Sequence, residues 1–281
     1  MDILDGRETK MKMLEDLKER INKLDRKLGL VVIQVGNDPA SNVYVKNKEK
    51  MSTSLGINFK HIKLEDNVKE EELLKIIDEL NEDEEVDGII VQMPIPKHLN
   101  PHTIQNRIKS SKDIDGLTDI NMGKLAHGKE ELVPCTPIGI MDLLKEYKID
   151  IEGKCVTIVG RSDLVGKPLA ALMLNNNATV ILCHSKTKDL QKYTSMADIL
   201  VVAIGKPKLI KQDFVKENST VIDVGINRLE DGTLCGDVDF DSVKNKVKYI
   251  TPVPGGVGQM TVAEIGSNVY KAYTLKNIKN K

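Results

Sequence analysis

Val159-Gly160-Arg161-Ser162-Asp163-Leu164-Val165-Gly166-Lys167-Pro168 follows directly on the apolar run Cys155-Val156-Thr157-Ile158. A β-branched run that ends in glycine, then a second glycine ahead of an Ala/Leu-rich segment, predicts strand, tight turn and helix. In an α/β unit such a turn brings backbone N–H groups and a helix N-terminus to one spot, which suits a phosphate. The spacing Gly-x-Ser-x-x-x-Gly is a relative of the dinucleotide fingerprint and not a match to it. A glycine turn that only packs a helix on a sheet has the same residues, so the neighbouring segments must decide.

Downstream, Thr179–Cys183, Ile199–Ala203 and Val221–Val224 are three further short apolar runs with helical or turn segments between them. That set predicts a parallel sheet, and ligands of such sheets sit at the carboxyl ends of the strands. Where an NAD site places an acidic residue after its second strand, this chain reads Cys183-His184-Ser185-Lys186-Thr187, with no carboxylate before Asp189. A hydroxyl and a lysine there suit a 2′-phosphate, and Arg161 adds a charged donor, which favours NADP. Ser185 and Thr187 also suit capping of the next helix. The two readings are compatible.

Upstream, Leu14, Leu17, Ile21 and Leu24 recur at helical spacing, and Gly29–Val35 reads as a buried strand closed by the turn cluster Gly36-Asn37-Asp38-Pro39. A helix from Ala40 to about Ser54, a strand over Ile57–Leu64, a helix striped by Leu73, Ile76, Ile77 and Leu80, and a strand at Gly88–Val91 complete a second α/β set. The stretch Ser110 to Pro137 shows little periodicity and reads as a connection. Thr136-Pro137 leads into a helix through about Tyr147, and Val262, Ile265, Val269 and Tyr273 stripe a terminal helix.

The bulk numbers exclude several classes. At 281 residues the chain suggests two domains, and 41 basic against 42 acidic side chains nearly cancel, so the overall charge argues neither for nor against a polyanionic partner. Three Phe, six Tyr and no Trp leave little for base stacking, which speaks against a single-strand nucleic-acid binder. No run approaches the roughly 20 apolar residues of a membrane helix. Met1-Asp2-Ile3-Leu4-Asp5 lacks the basic start and apolar block of a signal peptide. The four cysteines lie far apart with no C-x-x-C pair, which fits free thiols in a reducing cytoplasm and offers no metal-ligand spacing. His98 and His102 are separated by Pro101 and have no evident third ligand, so no metal is expected.

Tyr44 and Lys48 are the residues best placed for chemistry. Four apart on one helix, they share a face about 5–6 Å apart at Cβ. A phenol can position a substrate beside a lysine acting as general base; a packing Tyr beside a solvated Lys is the ordinary alternative. Short-chain dehydrogenases use Tyr-x-x-x-Lys after their nucleotide turn, whereas here it comes well before, which argues against that class. Gln92 ends a buried strand, where ligands are met. Asp115 sits in Lys112-Asp113-Ile114-Asp115-Gly116, and Asp-Gly is also a common turn pair. Pro254-Gly255-Gly256-Val257-Gly258 lets backbone approach a ligand or serves as a hinge.

Taken in order, these segments resemble the methylenetetrahydrofolate dehydrogenase/cyclohydrolase family, over nearly the whole chain. The resemblance rests on Val35–Ser41 with Tyr44 and Lys48, Gly88–Pro94, Lys112–Gly116, Pro134-Cys135-Thr136-Pro137, Gly160-Arg161-Ser162 with Val165–Pro168, Asp223–Asn227 and Thr251–Gly258. One departure is Gln259, where the family usually has proline.

The resemblance implies two α/β domains with a cleft between them, the second a Rossmann-like parallel sheet. Residues 1–136 with the terminal helix 260–281 would form the folate-binding catalytic domain, and 137–259 the NADP domain. It implies NADP-dependent oxidation of 5,10-methylenetetrahydrofolate to the 5,10-methenyl form, then hydrolysis to 10-formyltetrahydrofolate, usually by a homodimer. Lys48 would be the principal catalytic residue of the hydrolysis, Tyr44 would position the folate, and Gln92 would hold Lys48. Asp115 would bind the pterin, with the Gly256 backbone close to the substrate. Gly160, Arg161, Ser162, Ser185 and Ile226 would line the NADP site.

Overall fold

The structure, a computed structural model, describes residues 1–279. In chain order its first part runs β1 (Asp2–Ile3), α1 (Gly6–Ile21), β2 (Gly29–Val35), α2 (Pro39–Leu55), β3 (Asn58–Leu64), α3 (Glu70–Glu82), β4 (Gly88–Gln92), α4 (Pro101–Arg107) and α5 (Asp119–Ala126). It continues α6 (Cys135–Glu146), β5 (Cys155–Val159), α7 (Gly166–Asn175), β6 (Thr179–Cys183), α8 (Leu190–Thr194), β7 (Ile199–Val202) and β8 (Thr220–Asp223). A short ribbon, β9 (Asn227–Arg228) with β10 (Leu234–Cys235), precedes α9 (Phe240–Val243), β11 (Tyr249–Ile250) and α10 (Val257–Lys279).

The chain forms two compact units, each discontinuous in sequence: Met1–Met11 with Thr136–Thr261, and Lys12–Cys135 with Val262–Lys281. Residues 280 and 281 of the expected terminal helix lie outside the described residues. The first eleven residues therefore pack with the dinucleotide-type sheet, not with the first domain as the sequence suggested. The reason is β1, which pairs in parallel with β11 and donates Leu4 N–H to Ile250 O at 2.9 Å. Two residues are too few to show any period, so no sequence pattern marks this strand.

In the unit built on residues 12–135, β3-β2-β4 form a parallel sheet. Along β2, Leu30 and Val32 face a cluster with Leu17, Ile21, Met51, Leu55, Ile265 and Val269. Val31, Ile33 and Val35 face the opposite cluster with Leu73, Ile77 and Ile104. Both faces are covered by helices, which is why the run Gly29–Val35 shows no polar alternation. Helix α2 is bounded by local chemistry: Asp38 at the N-cap accepts from Ser41 N at 2.7 Å, Pro39 opens the first turn, and Gly56 (φ 75°) closes it. The connection expected over Ser110–Pro137 contains α5, capped by Thr118. Only Asn121 and Leu125 of α5 are buried, too little for a visible stripe.

In the other unit the six strands run in the order β1-β11-β8-β7-β5-β6, all parallel. The strand order reverses about β5, with β6 added on one side of it and β7 on the other, the switch point at which such sheets bind ligands. Gly6 must be glycine here. A Cβ on it would lie 2.1 Å from Gly256 O and 2.8 Å from Gly256 C, so the start of α1 rests directly on the Gly255-Gly256 backbone.

Candidate active site

In the three-stranded unit, Lys48 lies in the middle of α2 and Gln92 ends β4. Lys48 Nζ donates to Gln92 Oε1 at 2.9 Å, with both residues at least nine-tenths buried. Gln92 Nε2 in turn donates to Met93 O at 2.7 Å, which fixes the amide so that its oxygen faces the amine. Ser41 Oγ reaches the same Met93 carbonyl at 3.3 Å. Tyr44, one turn before Lys48, is 49% exposed, so its ring is available to a ligand and packs little core.

Asp115 is half-buried on the loop after the bridge between Ile89 and Asp113. Asp113 anchors that loop from below. Its fully buried carboxyl accepts from Gln105 Nε2 at 3.0 Å, Thr118 N at 2.8 Å and Asn121 Nδ2 at 2.9 Å. Burial pushes the Asp113 carboxyl above its ordinary range, against those hydrogen bonds. Burial also pushes the Cys135 thiol well up, and the Asp115 and Glu264 carboxylates add to this while Lys48 opposes it. Cys135 is therefore held as a neutral thiol. Asp113 and Cys135 are site-supporting residues that sequence reasoning did not assign a role.

In the six-stranded unit, Gly160 follows β5 and Ser185 follows the adjacent β6, while Ile226 follows β8. Gly160 (φ 124°) would carry a Cβ 2.2 Å from Ala203 O, and a Cβ on Gly166 would lie 1.9 Å from Gly160 O. Only glycine permits this close turn into α7. Ser162 Oγ accepts from Val165 N at 3.2 Å, leaving the Arg161 side chain exposed beside it. Ser185 is exposed and does not cap α8, whose N-cap is Asp189 with no side-chain bond. Thr187 instead turns back, accepting from His184 N at 2.9 Å. The capping alternative thus falls away. Ile226 is 52% exposed and its Cδ1 would stand 3.3 Å from a Cβ on Gly258, so Ile226 and the glycine loop share one edge.

Two buried carboxylates shape that edge. Asp223 accepts from Gly225 N at 3.1 Å, Asp237 N at 2.9 Å and Val238 N at 2.9 Å. Asp237 accepts from Ile204 N at 2.7 Å, Gly205 N at 3.0 Å, Lys206 N at 2.7 Å and Asn227 Nδ2 at 2.9 Å. Burial, with added repulsion from Asp237, raises the Asp223 carboxyl to about 7 despite its N–H partners. A folded-state value above the unfolded one of about 3.9 costs nothing below pH 4, where both states are protonated. Stability is lost as pH rises from about 4 to 7, by up to ~4 kcal/mol, and the loss is then constant. Urea midpoints of the wild type and Asp223→Asn across pH 4.5–8 check this: their difference should shift against the wild type as pH rises, and a flat difference would contradict it.

Among the described residues no group of three or more His, Cys, Asp or Glu could hold a metal, and no helix is long and apolar enough to cross a membrane.

The comparisons with known proteins agree with this geometry. Residues 4–115 match the catalytic-domain model, and residues 134–277 the NAD(P)-binding-domain model, of tetrahydrofolate dehydrogenase/cyclohydrolase. The chain belongs to that family. Bifunctional protein FolD of Streptococcus thermophilus is 48% identical over 281 residues, 99% of each chain. The crystal structure of the bifunctional enzyme FolD from Campylobacter jejuni, a methylenetetrahydrofolate dehydrogenase/cyclohydrolase, superposes with a TM-score of 0.96 at 48% identity, over 98% of this chain and 99% of that one. The Trypanosoma brucei enzyme of the family, solved with NADP cofactor and an inhibitor, gives 0.94 at 34% identity, over 98% of both chains. Against this dehydrogenase/cyclohydrolase background, Lys48 and Gln92 lie within the catalytic-domain match, and Gly160, Ser185 and Ile226 within the NAD(P)-binding match.

Proposed function

We propose that this chain is a bifunctional one-carbon folate enzyme. It oxidises 5,10-methylenetetrahydrofolate with NADP to the 5,10-methenyl form and hydrolyses that to 10-formyltetrahydrofolate. The buried Lys48–Gln92 pair carries the reading, because a dehydrogenase alone has no use for a held amine.

The nucleotide turn fits NADP. Gly160 and Gly166 form a cradle that any Cβ would fill, α7 begins at the second of them, and Arg161 and Ser185 stand exposed at the ends of neighbouring strands. Backbone N–H groups at this turn would take the diphosphate, and Arg161 with Ser185 the 2′-phosphate. When bound, NADP supplies the hydride acceptor. The chain's task in that step is orientation at about 3–3.5 Å. Asp115 would hold the pterin, Tyr44 would stack or hydrogen-bond along the folate, and the Gly256 backbone would approach the substrate. No proton need move.

Hydrolysis differs. The methenyl compound is a cation, and a water attacking its one-carbon bridge must lose a proton. Lys48, oriented by Gln92 Oε1, would take that proton as its general base. The four cysteines, all free, are consistent with a reducing cytoplasm as its place of action, and the family likeness favours a homodimer.

NADPH formation from 5,10-methylenetetrahydrofolate and NADP, with methenyl absorbance followed in the same cuvette, tests the reading. NADPH rising without lasting methenyl, beyond uncatalysed hydrolysis, is the expected result. Accumulating methenyl would leave a dehydrogenase alone. No NADPH, with NAD failing too, would leave a nucleotide-binding protein without turnover.

A further inference from the structure

The segment on which Asp115 stands is held from a distant part of the chain. Asn268, near the middle of α10 and 2% exposed, donates through Nδ2 to Ile114 O at 2.8 Å and to Val133 O at 2.8 Å. Both hydrogens of the amide are thereby used on carbonyls next to Asp115 and Pro134. The same nitrogen lies 3.6 Å from Cys135 Sγ, and Cys135 Sγ lies 3.6 Å from Ile114 O. The two backbones so joined are in direct contact. A Cβ on Gly116 (φ 66°) would fall 2.6 Å from Val133 C and 2.7 Å from Pro134 N.

We infer that Asn268 is a positioning residue for folate recognition: its amide sets the place of Asp115 by clamping the loop residue before it to the 133–135 segment. The Asp113 carboxyl holds the far end of the same loop through Thr118 N, so residues 113–118 are held at more than one point. Asn268 is about 150 residues away in sequence and buried. It acts through the backbone, with no charge of its own. The inference rests on Asp115 as the pterin-binding group.

The test is steady-state kinetics of the full chain with Asn268→Ser, Asp115→Ala and the double variant, in both reactions. Asn268→Ser keeps one donor for two carbonyls. It should raise the folate KM about five- to tenfold in both reactions, the effect of one hydrogen bond, with kcat and the NADP KM within about twofold. With Asp115→Ala already present, adding Asn268→Ser should change the folate KM by less than about twofold, because the two residues serve one contact. Thermal melting with and without NADP reports folding, and Asn268→Thr, with one donor and more bulk, replaces the serine variant if that one does not fold. An unchanged folate KM in the folded variant, or effects that multiply with Asp115→Ala, would overturn the inference. An unchanged folate KM in Asp115→Ala would instead remove Asp115 from the site, and the inference with it.

Discussion

Lys48→Met should slow hydration of 5,10-methenyltetrahydrofolate by about 10²- to 10⁴-fold, the usual worth of a positioned general base. NADPH formation should continue, so methenyl product would accumulate where the wild type leaves none. Methionine has nearly the length of lysine and suits a nine-tenths buried slot. Gln92 loses its Lys48 partner but keeps its bond to Met93 O, so the strand end stays in place. The stability cost is therefore on the order of 1–2 kcal/mol, one unmade hydrogen bond. Stopped-flow loss of methenyl absorbance, with a melting curve as control, decides it. Hydration at the wild-type rate in a folded variant would sink the role given to Lys48.

Asp237→Ala should have the largest effect on stability. The carboxylate is fully buried and collects three backbone N–H groups from residues 204–206 and the Asn227 amide. Removing it leaves several buried donors unmet, about 1–3 kcal/mol each before relaxation, and a net loss of about 3–5 kcal/mol is expected. The melting midpoint should drop by on the order of 10 °C. Gly225, whose Cβ would sit 2.2 Å from the Asp237 carboxyl carbon, is packed against it and has no side chain to fill the space. The 204–206 loop and Asn227 flank the strand ends where NADP would lie, so the NADP KM should rise as well. A midpoint within about 2 °C of the wild type, with the NADP KM unchanged, would show that the carboxylate anchors nothing of consequence.

These two residues also mark what the sequence discloses. Lys48 is legible because helical spacing pairs it with Tyr44 and because Gln92 stands at the end of an apolar strand. Spacing and strand ends are local properties. Asp237 is not legible in that way, since its four donors come from residues 10 to 33 positions away. One trace of it exists in the sequence: each buried carboxylate is matched by a glycine beside the other. Gly225 faces Asp237, and Gly236 faces Asp223, with a Cβ on Gly236 falling 1.7 Å from Asp223 Oδ2. Helix α5 was missed for a different reason, because its stability comes from the Thr118 cap and Asn121, not from an apolar stripe. Strand β1 is too short for any pattern. Asn268 lay hidden inside a helix whose periodicity concerned only its apolar face.

The split of each compact unit between distant parts of the chain bears on synthesis. A ribosome delivers residues 12–135 long before α10, yet Ile265, Val269 and Asn268 belong to that unit's interior. It delivers β1 first of all, and β1 must wait for β11, almost 250 residues later, to pair. The six-stranded unit cannot close before β11 is made, nor the unit of residues 12–135 before α10, so the usual order of N-terminal domain first does not hold here. Translation pausing before α10 should leave the unit built on residues 12–135 open to proteases and chaperones, and synthesis of that helix is the event that lets it seal.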